Sequence, residues 1–304
     1  MPDPIRLVYS KDYAVDIGSH VFPTLKYNLI KEMLLKQSAF KGRLEFVSPR
    51  PAKDRDILLV HDAAYLDKLK NGTLTDAEIF SLEMPFSKEL VSASLLCCGG
   101  TMLAAGIALD SKLGIHIGGG FHHAFPGHGE GFCALNDIAV AIRRVITDKR
   151  VKKALVIDCD LHHANGTAVI FKDDPSVFTF SIHQENNYPF LKPKSNRDIG
   201  LRDRATDKEY LAALQENIPK IISDFKPELV MYVAGADPYK DDQIGGLSLT
   251  KEGLRKRDEF VINQAKNFAV PIAVVLAGGY AYNKEDTVEI HYNTIEAGLK
   301  IFYS

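Results

Sequence analysis

Residues 153–166 read KALVIDCDLHHANG. A short apolar run, Ala154 to Ile157, passes directly into Asp158, Cys159, Asp160, Leu161, His162 and His163. The run has the length and apolarity of a strand covered on both faces. Two carboxylates and two imidazoles at its end are costly to bury unless they are paired or hold a metal. Side chains two apart on an extended segment point the same way, so Asp160 and His162 can offer an oxygen and a nitrogen to one ion. An Asp at a strand end more often caps a helix, so this pair needs support from elsewhere in the chain.

The rest of the sequence repeats the same design. Further strand-like runs begin at Ile5 (IRLVYS), Leu113 (LGIHIG), Val177 (VFTFSIH), Leu229 (LVMYVAGAD) and Ile272 (IAVVLAGG). Helical patterns lie between them at 87–109, 137–148, 206–225 and 250–268. The pair Gly99 and Gly100 is expected to weaken the first of these, and Pro219 to bend the third. The alternation predicts an α/β fold: one domain over residues 1–304, with a mostly parallel central β-sheet and helices on both faces. Ligands bind such sheets beyond the C-terminal ends of the strands. Four strand ends carry chemistry here, leading into GGGFHHAFPGHGEGFCALND, DCDLHHANG, ADPYKDD and GGYAYN.

Composition narrows the function classes. The 304 residues are 46% hydrophobic, and 37 Lys and Arg against 39 Asp and Glu leave a net charge of −2. A general nucleic-acid binder usually carries a basic excess. The run Arg255 to Arg257 (RKR) reads as a solvated helix face. Cys97, Cys98, Cys133 and Cys159 form no C-x-x-C pair and read as free thiols of a reducing compartment. The N-terminus lacks a signal-peptide h-region, and no apolar run is judged to approach the roughly 18 residues that span a bilayer. The expectation is a soluble, cytoplasmic protein, or a nuclear one if the source is eukaryotic, with no membrane and no direct nucleic-acid contact.

The strand ends together suggest a metal site. Asp237, at the end of the run from Leu229, can supply a third ligand beside Asp160 and His162, leaving positions open for water and substrate. His122 and His123 follow three glycines, and histidine titrates nearest neutrality. Tyr280 follows two more glycines and can hydrogen-bond a substrate carbonyl. Asp158 can support a histidine or serve another cation. Ser181 and Ile182 become its neighbours if the VFTFSIH strand lies alongside.

These motifs resemble the zinc-dependent histone deacetylase family, with its arginase/deacetylase fold. The resemblance runs from LLVHDAAYLDKL at Leu58 to LAGGYAYN, and the loops HHAFPGHGEGFC and DQIGGLSLT look most like the class IV branch and its bacterial relatives. It implies that Asp160, His162 and Asp237 bind Zn2+. It implies that His122 and His123 are the catalytic histidine pair and that Tyr280 polarises the carbonyl. Phe132 and Tyr188 become the walls of an acyl-lysine tunnel, with Tyr where many relatives carry Phe. A structural K+ (or Na+) is implied at Asp158, Ser181 and the backbone carbonyls of Asp160, His162 and Ile182. Many relatives have Asp where Asn165 stands, so His123 loses a charged supporter while His122 keeps Asp158.

The implied reaction is hydrolysis of N-acyl-lysine amides in a protein or peptide. The alternative is a small-molecule amidohydrolase acting on acetylated polyamines or similar amines. A binuclear manganese ureohydrolase is a poorer fit, because DLHH lacks the second Asp of a D-x-H-x-D arrangement. A silent acyl-lysine binding module has no use for the full ligand set and Tyr280.

Overall fold

In the computed structural model, which describes residues 3–304, all six expected strands are present: β1 (Ile5–Val8), β3 (Leu113–His116), β4 (Ala154–Asp158), β5 (Val177–Gln184), β7 (Leu229–Val233) and β8 (Ile272–Val275). Two more, β2 (Leu44–Val47) and β6 (Arg197–Leu201), close the sheet at its edges. They escape the sequence reading for a physical reason. Edge strands are only half covered, so LEFV and RDIGL carry no buried apolar run. The order is β2-β1-β3-β8-β7-β4-β5-β6, and every pairing is parallel.

Ten α-helices occupy the described residues: α1 (Lys26–Gln37), α2 (Asp54–Ile57), α3 (Ala63–Asn71), α4 (Asp76–Leu82), α5 (Lys88–Ser111), α6 (Asp137–Thr147), α7 (Asn165–Ile170), α8 (Asp207–Phe225), α9 (Lys251–Asn267) and α10 (Lys284–Tyr303). Strand side chains alternate between two cores, as the period of two demands. Val156, Met231 and Ala273 pack with Ala105 of α5 and Ile142 of α6. Leu155, Tyr232 and Val274 pack with Ile30 of α1, Leu214 of α8, Val261 of α9 and Ile295 of α10.

Three expectations are corrected. The glycine pair does not interrupt α5, which is continuous. A Cβ at Gly99 would lie 1.8 Å from the Arg50 carbonyl oxygen, and one at Gly100 would lie 2.4 Å from His116 Nε2. These glycines admit the helix to the core. The same helix has no charged residue from Leu90 to Leu109, so by length and composition it does reach membrane-spanning character. Here it packs against β3, β8 and α6 instead. Finally, the RKR run is not one solvated face. Arg255 is paired at the surface with Glu252 and Glu259, whereas Arg257 is fully buried. Pro219 lies inside α8, which runs on past it to Phe225.

The register positions the site. Asp158 stands opposite Ser181 of β5 on one side and Val233 of β7 on the other. The four chemically active strand ends belong to β3, β8, β7 and β4, which are consecutive in the sheet. Their C-terminal loops are therefore neighbours.

Candidate active site

Beyond β4 the backbone folds around its own carboxylates. Asp160 N donates to Asp158 Oδ1 at 3.1 Å, and His162 N donates to Asp160 Oδ1 at 2.9 Å. Leu161 N donates to Asp237 Oδ1 at 3.0 Å, and Gly278 N to Asp160 Oδ2 at 3.0 Å. The loops of β4, β7 and β8 are thus stitched together through the two acids. One ligand atom from each of Asp160, His162 and Asp237 lies within 4.8 Å of the other two. His162 Nδ1 is 3.1 Å from Asp160 Oδ1 and 3.4 Å from Asp237 Oδ2.

This set fits a divalent cation. Asp237 Oδ2 is buried and has no hydrogen-bond partner. Such an orphaned anionic oxygen is costly without a counter-charge. Burial disfavours charge on His162, yet Asp160 and Asp237 outweigh it and raise the imidazole to about 10. The same burial pushes the Asp237 carboxyl up, with Asp160 adding repulsion. The pocket therefore demands positive charge. Two carboxylates, one imidazole and open positions match a catalytic zinc centre better than a closed structural one.

A second His/Asp group, His163, His183 and Asp198, is partly satisfied by hydrogen bonds, with His163 Nδ1 buried and without a partner. His163 Nε2 bonds Asp198 Oδ1 at 3.1 Å, Asp198 Oδ2 accepts from Ser195 N at 2.9 Å, and His183 Nδ1 pairs with Ser181 Oγ at 3.0 Å. Ser181 and Ile182 lie on β5 beside Asp158, as the sequence suggested.

The histidine pair sits above this centre. His122 Nδ1 is 2.8 Å from Asp158 Oδ2, and His123 Nδ1 is 2.6 Å from Asn165 Oδ1. The two Nε2 atoms face each other at 3.1 Å. Two lone pairs cannot hold that contact, so a proton sits between them. Burial opposes charge on His122, but Asp158 and Asp160 prevail and raise it to about 9. Burial and the neighbouring His122 push His123 well down.

The glycine loop that presents them is held by buried Asp137. Its carboxylate accepts from Gly120 N, Phe121 N and the Thr101 hydroxyl, and Thr101 in turn accepts from His116 Nδ1 at 2.9 Å. His61 fixes the rest of the loop, bonding the Phe125 carbonyl through Nδ1 and accepting from Asn136 N through Nε2, both at 3.0 Å.

Tyr280 borders the same narrow cavity as His122, His123, Asp160, His162 and Phe132. Asp242 Oδ2 accepts its backbone N–H at 2.7 Å. Burial, then Asp237 and Asp160, hold its phenol well above the ordinary value, so it stays a hydrogen-bond donor. Phe132 stands edge-on to Tyr280, with centroids 5.9 Å apart, and Tyr188 stands edge-on to His123 at 5.0 Å. A wider surface groove bordered by Tyr9, Lys31, Phe46 and Leu96 contains none of these groups.

Three residues near the centre have no distinguishing sequence signal. Phe22 packs between Phe121, Phe132 and Tyr280. Lys26 of α1 is buried and donates to the Ala277 carbonyl at 2.5 Å. Burial lowers it to about 8 against the pull of Asp237, Asp160 and Asp242. Glu130, inside the quoted HGEGFC stretch, bonds both Asn165 and Tyr188.

Known proteins match this arrangement over nearly the whole chain. The crystal structure of the HDA15 HD domain superposes with a TM-score of 0.79 at 22% identity, covering 98% of this chain and 92% of that one. An uncharacterized protein of Picosynechococcus is 39% identical, covering 94% of this chain and 95% of its own length. Histone deacetylase 2 of Arabidopsis thaliana is 31% identical over 91% of this chain and 74% of its own. The acetoin utilization protein AcuC of Staphylococcus aureus is 29% identical over 87% and 73%. The histone deacetylase domain model matches residues 20–295, and the chain belongs to the histone deacetylase family.

Proposed function

We propose that this deacetylase-family hydrolase cleaves N-acyl-lysine amides with a zinc ion held by Asp160, His162 and Asp237. The observation that carries the reading is the orphaned Asp237 Oδ2 within an anionic three-donor set, in one cavity with a histidine pair and a tyrosine. A zinc ion there supplies Lewis acidity: it makes water more acidic, toward a pKa of about 7, and draws electron density from an amide carbonyl. The chain's own groups do the rest. Asp158 holds His122 in its Nδ1–H form, and Asn165 does the same for His123. The Nε2 pair passes its shared proton to the leaving amine and takes one in its place from water. The Tyr280 hydroxyl donates to the carbonyl oxygen as it gains charge. Phe132 and Tyr188 flank the apolar methylenes of the lysine. The same reading includes a K+ or Na+ beside Asp158 and Ser181, checked by whether KCl raises Tm more than choline chloride does.

The test is turnover by zinc-loaded protein of acetyl-lysine peptides, longer-acyl peptides and N-acetyl polyamines, with metal content measured alongside. Peptide hydrolysis at one zinc per chain is the expected result. Turnover of polyamines alone moves the protein to small-molecule amide hydrolysis. Peptide binding without turnover makes it a binding module, and two metals per chain overturns the mononuclear site.

A further inference from the structure

We infer that Glu130 is a positioning residue that fixes the orientation of the Asn165 amide and, through it, the tautomer of His123. Asn165 lies between two partners: Oδ1 is 2.6 Å from His123 Nδ1, and Nδ2 is 2.5 Å from Glu130 Oε1. The two ends of an amide have nearly the same shape, so packing alone does not orient it. A carboxylate accepts and cannot donate. Glu130 therefore takes the NH2 end and leaves the oxygen for His123, whose Nδ1 must then carry the hydrogen. The Nε2 lone pair is thereby left free on the side of the ring that faces His122 Nε2, where both rings border the cavity. With the amide reversed, NH2 faces Nδ1, the ring proton moves to Nε2, and His123 can no longer accept a proton there.

Glu130 is built to hold this position. Its N and O exchange hydrogen bonds with Cys133 at 3.1 and 2.9 Å, around Gly131 and Phe132 at φ of +51° and +68°. Gly131 N and Phe132 N donate to the Ser81 and Leu82 carbonyls, anchoring the turn on α4. The same Oε1 accepts the Tyr188 hydroxyl at 3.0 Å, and Oε2 lies 3.4 Å from His128 Nε2. One half-buried carboxylate thus locks both Asn165 and the tyrosine that stands edge-on to His123. Where many members of the family have a carboxylate directly on this histidine, this chain sets an amide there and the carboxylate one residue further out.

The inference rests on the proposed reaction only for its kinetic consequences, so the experiment has two readouts. The variants are Glu130→Gln, Asn165→Asp and the double variant, all zinc-loaded. Gln can present either end to Asn165, so Glu130→Gln should lower kcat on the order of 10- to 100-fold, below the roughly 10^4-fold seen when a catalytic imidazole is wholly in the wrong tautomer. Asn165→Asp sets two carboxylates against each other at the former 2.5 Å contact and should also lose activity. The double variant restores one acceptor toward His123 and one donor behind it, and should return to within about 3-fold of the parent.

Histidine-selective 15N NMR reads the tautomer directly. The parent should hold its proton on His123 Nδ1, and Glu130→Gln should shift that nitrogen toward the unprotonated position. Parent-like kcat in Glu130→Gln, an unmoved Nδ1 signal, or a double variant no better than the worse single variant overturns the inference. If the parent turns over no acyl amide, the reaction reading falls while the 15N signal still decides this one.

Discussion

Asp237 shows how one atom's surroundings translate into a testable role. Its Oδ1 is occupied by the Leu161 N–H, whereas Oδ2 is buried with no hydrogen-bond partner, the His162 Nδ1 lying 3.4 Å away. Asp237→Ala is expected to abolish stoichiometric zinc, because a three-ligand centre cannot easily spare an anion. Metal analysis after dialysis checks this, and full zinc retention refutes the ligand assignment. Tyr280 bears on a different quantity. Its ring is packed by Phe22 and Phe132 whether or not the hydroxyl is present. Tyr280→Phe should keep zinc and change KM little, while kcat falls about 100- to 1000-fold. A raised KM at unchanged kcat would make it a binding residue only.

At the scale of elements, the loops of β4 and β7 are tied together by α9. Arg257 Nη1 donates to the Cys159 carbonyl at 3.2 Å and to the Gly235 carbonyl at 2.6 Å, just before Asp160 and Asp237 in the chain. Its charge is balanced by buried Asp258, which also accepts from Tyr232 and Thr294. Arg257→Met removes one partner of a buried pair and leaves Asp258 uncompensated, at an expected cost of about 3–5 kcal/mol. Urea denaturation measures it, and a loss below about 1 kcal/mol would show that the pair is not holding the loops. On the opposite face α5 lies so close that Gly99→Ala must displace the Arg50 carbonyl, so a lower urea midpoint is expected there too.

For the whole molecule, buried neutral histidines set the acid limit. His61 is lowered to about 4, mainly by burial against the smaller pull of the Phe125 and Pro126 carbonyls; its Nε2 is filled by the Asn136 N–H. His116 is lowered to about 3 by burial. A histidine with a depressed folded pKa binds its proton sooner in the unfolded chain. Its contribution is therefore complete above the unfolded pKa of roughly 6.5 and is lost as pH falls toward 4 and 3. Between pH 6.5 and 5 each should remove about 1.5 kcal/mol. Urea midpoints at the two pH values check the sign. An unchanged or higher midpoint at pH 5 would mean that these rings are already protonated in the folded protein.

The interior strands and the groups at their ends are legible in the amino-acid order alone. Fully covered strands must be apolar along their length, so β4 and β7 stand out, and charged residues directly after them can only be functional or paired. That order could not reveal β2 and β6, whose half-covered edges leave no apolar run, nor the burial of Arg257 beside a partly exposed Arg255 and an exposed Lys256. Helical spacing told nothing of Lys26, because one lysine among polar helix positions looks like any other. These features follow from packing, since they depend on the sheet order that sets β3, β8, β7 and β4 side by side. The same holds for Glu130. Asn165 is readable as an uncharged residue where a carboxylate is common, but the acid that orients it is 35 residues away in the chain. Hydrogen-bond partners are a property of packed loops, and no local pattern encodes them.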